Sequence, residues 1–229
     1  MRYSSAFGTV IVITALCRCA AGQNTPSKDA PVSEAKGIPP RATPGDYQAH
    51  AQAGTVTVAA EFIGHSIPTP DGSTYTTEDY VAVETGLFGP AGARLSISVE
   101  NFSIRINAKK KKEVSLPSQP FGMVFRSLKD PEWEDSVAVA AKEAKSKTAG
   151  ISTGGQGGQS EPPAPVHMPL ELQRAMQQRV QKTALPEGDR ALPQAGLIFF
   201  PYHGKLQNIN SIELVYAGPA GTATLTLQP

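Results

Sequence analysis

Cysteine is nearly absent. The chain of 229 residues has two, Cys17 and Cys19, both close to the N-terminus. If the N-terminal segment is removed on export, the remaining chain has none. That excludes a disulfide framework, a thiolate metal site and a cysteine nucleophile. Excess charge of one sign is lacking too: 21 Lys and Arg stand against 20 Asp and Glu, a balance of 21 − 20 = +1. This removes the electrostatic argument for nucleic acid and gives no reason to expect an anionic-membrane binder. No internal run approaches the roughly 20 apolar residues of a membrane span, so no integral span is expected. Apolar residues make up 40% and charged residues 18%, both below a typical globular domain. The 21 Gly and 20 Pro predict many turns and some stretches without a fold.

The N-terminus has the pattern of an address. Arg2 supplies a positive start, Ala6–Leu16 is apolar apart from Gly8, Thr9 and Thr14, and Ala20, Ala21 and Gly22 are small. This is the three-part order of a secretory signal peptide, with cleavage near Ala21/Gly22 and export to the periplasm or beyond the cell as the expectation. The competitor is a lipoprotein whose signal ends at Cys17 or Cys19. Leu16 and Arg18 precede those cysteines, and bulky or charged neighbours fit that processing poorly. Residues 1–22 therefore read as signal peptide. Residues 23–53, with Pro26, Pro31, Pro39, Pro40 and Pro44, read as a disordered leader.

Strand patterns begin at Thr55, where Val56, Val58, Ala60 and Phe62 share one side. Tyr80–Phe88, Leu95–Val99 and Phe102–Ile106 follow, separated by Pro, Gly and Asp-Gly breaks, and Met123–Leu128 reads as a further short strand. Leu197–Phe200, Ser211–Tyr216 and Thr222–Leu227 complete the set. A Gly-Pro-Ala-Gly string occurs twice between strands, at Gly89–Gly92 and Gly218–Gly221. Pro169–Thr183 is predicted as an amphipathic helix, with Leu172, Met176 and Val180 every four residues and Pro186 and Gly188 after it. About 136–166 reads as a disordered insertion: Val137–Lys147 is Ala- and Lys-rich with at most transient helix, and Gly150–Pro165 has almost no apolar surface. The Lys109–Lys112 run reads as a solvated loop tip that keeps a strand end soluble. Short strands at intervals of roughly ten residues with Gly/Pro breaks predict a single mainly β domain over 54–229, an antiparallel sandwich of about seven strands.

Four strings in order, Phe102-Ser103-Ile104, Leu185-Pro186-Glu187-Gly188, Gly196-Leu197-Ile198-Phe199-Phe200 and Ile212-Glu213-Leu214-Val215-Tyr216, carry a resemblance. The chain over Thr55–Gln228 resembles the immunoglobulin-like accessory modules of secreted bacterial proteins and lipoproteins. The insertion and the helix at Pro169 depart from that pattern. The resemblance implies an immunoglobulin-like sandwich and no catalytic residues to carry over.

Catalytic, cofactor and metal signals are sparse. His50, His65, His167 and His203 are not spaced as local metal pairs. Hydrolase, phosphate-loop and zincin motifs do not occur, and Gly154-Gly155-Gln156-Gly157-Gly158 lacks the strand before and the Lys after it. Glu78-Asp79 and Glu187 with Asp189 could supply a glycosidase pair or a calcium site, but their loops are not ligand-spaced. No catalytic residue, cofactor or metal is assigned. The single Trp133 sits among Asp130, Glu132, Glu134 and Asp135. Such a Trp more often covers the end of a core; the functional reading makes Trp133, Glu132 and Glu134 the candidate partner contact, because exposed aromatics anchor interfaces. The expectation is a secreted or periplasmic, non-enzymatic binding or structural module whose partner is an envelope or extracellular protein. The alternatives are a hydrolase with a site assembled from separate loops, and a partner-binding subunit using the Trp133 region and the 169–183 helix.

Overall fold

The computed structural model describes residues 36–107, 115–148 and 167–229, with the helix over 143–148 described by its backbone alone. The predicted signal peptide, Cys17 and Cys19, Lys109–Lys112 and the 154–158 glycine string lie outside the described residues. The architecture is mainly β, with thirteen antiparallel strands among the described residues.

The central sheet runs β1 (Ala49–Ala53), β2 (Val56–Gly64), β5 (Tyr80–Phe88) and β11 (Gln194–Pro201), in the order β1-β2-β5-β11. Its middle strands are covered on both faces. Val58, Ala59, Ala60, Val81, Ala82 and Val83 are all fully buried, as is the run from Ala195 to Phe200. A strand covered on both sides has no reason to alternate, hence the continuous apolar strings. The free edge of β11 is occupied. Ile38 N–H donates to Ala195 C=O at 3.0 Å, Leu185 N–H to Leu197 C=O at 3.0 Å, and Gln119 N–H to Phe199 C=O at 2.8 Å. Those bonds satisfy backbone groups that would otherwise invite a second chain.

A second four-stranded sheet, ordered β13-β12-β7-β8, comprises β7 (Phe102–Ile106), β8 (Ser115–Pro117), β12 (Ile212–Gly218) and β13 (Gly221–Leu227). Here alternation is clean: Ile212, Leu214, Tyr216, Ala223, Leu225 and Leu227 are buried, while Thr222, Thr224 and Thr226 face solvent. These inward residues join Val56, Val58, Val81, Val83, Ile198 and Phe200 of the central sheet in one core. Leu95 and Ile97 of β6 (Arg94–Ile97), which pairs with β10 (Gly188–Ala191), complete it.

The opposite face of the central sheet carries a smaller core. Ala82, Leu197 and Phe199 meet Ile67 of β3 (Ser66–Pro68), Tyr75 of β4 (Thr74–Thr77), Leu128 of β9 (Leu128–Lys129), Val124 of α1 (Phe121–Val124), and Met176 and Val180 of α3 (Leu170–Thr183). Arg179 fastens α3 to this layer, donating to the Tyr75 hydroxyl at 2.8 Å and pairing with Asp71 at 3.0 Å. A further helix, α2 (Pro131–Thr148), follows β9.

Four expectations change. The leader assigned to 23–53 is part of the fold from Ile38 onward. Ile38 bridges to β11, Tyr47 is 5% exposed, and β1 pairs with β2 through a turn at Gly54, whose φ is 62°. Alanine at every second position buries too little surface per residue to stand out as a strand. Residues 136–148 of the expected insertion lie in α2, where Ala and Lys are good helix formers; the remainder lies outside the described residues. Met123–Leu128 is not a strand: it covers the end of α1, one turn of 3-10 helix and the start of β9. The strands outnumber the seven expected because β3, β4, β8, β9 and β10 are two to four residues long, too short for a period to register.

The two Gly-Pro-Ala-Gly strings serve different turns. Gly218 pairs with Gly221 to close the two-residue β12–β13 hairpin, whereas Gly89–Gly92 carries the chain out of the central sheet toward β6.

Candidate functional site

Asp130 starts α2. Its Oδ1 accepts the N–H groups of Glu132 at 3.0 Å and Trp133 at 3.3 Å, and its carbonyl accepts Glu134 N–H at 3.0 Å. Pro131 suits the first helical position, and acidic side chains in the first turn are favoured by the helix dipole. Along this helix Trp133, Val137 and Ala141 recur every four residues and so share one face. That face, with Glu134 and Ala138, lines an open cleft of about 420 Å³ completed by Leu128, Lys129, Asp130, His167 and Met168. Trp133 and Val137 are half-buried in the cleft.

The strand below is held in place. Thr77 and Ser127 hydroxyls bond at 2.7 Å, and Lys129 donates to Glu78 at 2.6 Å. The Glu78 carboxylate raises the Lys129 pKa, with Glu134 and Asp79 adding to the effect. Of the candidate contact residues, Trp133 and Glu134 line the cleft, while Glu132 is exposed outside the lining. Residue spacing could have indicated Val137 and Ala141. Met168 and His167 carry no local sign, because only the fold brings them against α2.

The predicted helix at 169–183 forms as α3, beginning at Leu170, and Met176 and Val180 are buried as the pattern predicts. Leu172 is not: it is 49% exposed and Leu170 57%, four and two residues beyond Met168 respectively. A second cleft of about 300 Å³ lies between α1 and α3, lined by Phe121, Gly122, Phe125, Arg174, Gln177, Gln178 and Gln181.

The titratable residues singled out in the sequence separate in the fold. Glu78 bonds Lys129, Asp79 pairs with His203 at 3.0 Å, Glu187 accepts Val99 N–H at 3.0 Å, and Asp189 pairs with Arg94 at 2.9 Å. His65 lies between two carbonyls, Tyr80 at 2.7 Å and Gly204 at 3.0 Å, a backbone-bridging position. His50 is exposed on β1. Among the described residues no three His, Cys, Asp or Glu side chains come together as a metal site, and no helix is long and apolar enough to cross a membrane.

Comparison of the chain with known protein families, with curated proteins and with solved structures gives no match.

Proposed function

We propose that this chain is an exported, non-enzymatic binding module of the immunoglobulin-like sandwich type that holds a partner protein at the cleft beneath α2. The observation that carries the reading is the position of Trp133. The chain's one tryptophan belongs to neither core and instead lines an open cleft beside Val137, Ala138 and Ala141. A large aromatic ring in a partly open apolar setting is the usual anchor of a protein interface. Met168 adds to the apolar lining. Two sheets sharing one core support the sandwich reading, and the order of Arg2, Ala6–Leu16 and Ala20–Gly22 supports export. An envelope or extracellular protein is the partner this implies.

A hydrolase has less to rest on. The His203–Asp79 pair is 76% and 49% exposed at its side chains, and no hydroxyl is bonded to that imidazole among the described residues. His167 shares the cleft with Asp130 and Glu134 without a hydrogen bond to either among the described residues.

Parallel pull-downs from the native exported fraction test the proposal, using wild type, Trp133→Ala and the solvent-face control Thr224→Ala. A partner retained by wild type and the control but lost with Trp133→Ala, at unchanged melting temperature, is expected. Equal retention by all three would remove the cleft from the account.

A further inference from the structure

The second cleft, about 300 Å³ between α1 and α3, has a chemistry of its own. One wall is aromatic. Phe121 and Phe125 are half-buried against the smaller core, and the Phe121 ring lies 6.3 Å from that of Phe199. The other wall is a polar stripe on α3. Arg174, Gln177, Gln178 and Gln181 take the i, i+3, i+4 and i+7 positions of one helix face, across the helix from the buried Met176 and Val180. None of these four side chains has a hydrogen bond or ion pair with another described residue. No carboxylate stands among the lining residues, so the Arg174 guanidinium is a cation that the cleft leaves unanswered. Each Gln amide adds two donors and an acceptor.

That lining sorts ligands by their chemistry. A purely apolar molecule would take water from three amides and a guanidinium and return no hydrogen bond. A simple inorganic anion would use Arg174 and leave both rings idle. We infer that the cleft binds an acidic saccharide, a uronic acid unit of a polysaccharide, which uses every part of it. The sugar carboxylate takes two parallel bonds from Arg174, whose planar fork matches it. The hydroxyls, each donor and acceptor, pair with the amides of Gln177, Gln178 and Gln181, which are both as well. The C–H groups of the sugar ring, slightly positive, lie against Phe121 and Phe125, whose ring faces are slightly negative. A few placed polar groups beside aromatic surface is the usual make-up of a small-molecule site, and the volume stands at the lower end of the roughly 300–1,000 Å³ range of such sites. None of the six residues lines the cleft beneath α2, so the assignment stands apart from the reading of Trp133.

Calorimetry on the full chain tests this with trimers of galacturonic, glucuronic and mannuronic acid, with the neutral trimers of galactose, glucose and mannose, and with benzoate. At least one uronate trimer is expected to bind about tenfold or more tighter than its neutral counterpart, the difference between a charge-assisted and a neutral hydrogen-bonded contact. Benzoate, which offers a ring and a carboxylate but no hydroxyls, should bind more weakly than that trimer. Arg174→Gln, on the exposed side of α3 and confirmed folded by circular dichroism, should bring the acidic trimer down to the level of the neutral one. Gln177→Ala/Gln181→Ala should weaken both by about tenfold, and the solvent-face control Thr224→Ala should change neither. Benzoate binding as tightly as the best uronate would overturn the saccharide class. Equal affinity for acidic and neutral trimers would overturn the role of Arg174 and with it the acidic assignment. Uronate binding that survives both Arg174→Gln and Gln177→Ala/Gln181→Ala belongs elsewhere on the chain and overturns this site, as does binding of none of the trimers.

Discussion

Glu61 and Glu84 stand directly opposite each other across β2 and β5, and one guanidinium answers both. Arg41 reaches Glu61 Oε2 at 2.5 Å and takes Glu84 in two bonds, at 2.7 and 3.1 Å. It also lies 4.6 Å from the centre of the Tyr47 ring. Like charges directly across a ladder are destabilising without such a partner. The stretch before β1 is thereby tied to the face of the central sheet that also carries the smaller core.

Removing the cation should expose the conflict. Arg41→Met is expected to lower unfolding stability by about 2–3 kcal/mol, since a hydrogen-bonded pair loses one side and two carboxylates remain. Adding Glu61→Gln and Glu84→Gln should recover most of that loss. Urea denaturation of the single and triple variants measures it, and a triple variant no better than Arg41→Met would show that charge is not the cause.

Gly86 is required by the same contact. A Cβ there would lie 2.7 Å from the Tyr47 ring and hydroxyl and 2.8 Å from the Phe88 ring. Gly86→Ala should cost about 1–3 kcal/mol and less in a Tyr47→Ala background, where only the Phe88 contact remains. Thermal melts of the four chains in that cycle decide the point, and equal costs in both backgrounds would place the clash elsewhere.

Alkaline pH should find two weak points. Burial holds the phenols of Tyr47 and Tyr216 above their ordinary pKa. The folded chain therefore keeps protons that the unfolded chain releases. This contribution to stability is complete below the unfolded value of about 10 and is lost as pH rises from there through the higher folded values. Near-ultraviolet titration should show these two ionising above the ordinary phenol value of about 10. Tyr47→Phe/Tyr216→Phe should fall less steeply in stability above about pH 10; an unchanged slope would contradict the burial argument.

The two faces of β12 and β13 should respond unequally. Leu214 is fully buried between the sheets and Thr224 faces solvent. Leu214→Ala is expected to cost about 2–5 kcal/mol, and Thr224→Ala to stay within about 0.5 kcal/mol. Comparable losses in denaturant midpoint would mean that the outer face is covered as well.

What was legible in the residues is what repeats locally. Ile212, Leu214 and Tyr216, and again Ala223, Leu225 and Leu227, announce strands with one buried face because alternation is a property of neighbours along the chain. Met176 and Val180 announce a helix for the same reason. Tertiary structure alone decided the rest. β1 has only alanines to bury and exists because β2 offers it a ladder. Phe199 and Phe200 point into different cores because the central sheet is covered twice, a fact no single strand contains. Leu172 keeps the helical spacing of Met176 yet stays in solvent, since the smaller core does not extend to the first turn of α3. Trp133 was visible as an aromatic among acids. Its cleft was not, because Leu128 and Val137 lie on two elements whose packing no local pattern states, and Met168 joins them from about thirty residues further on.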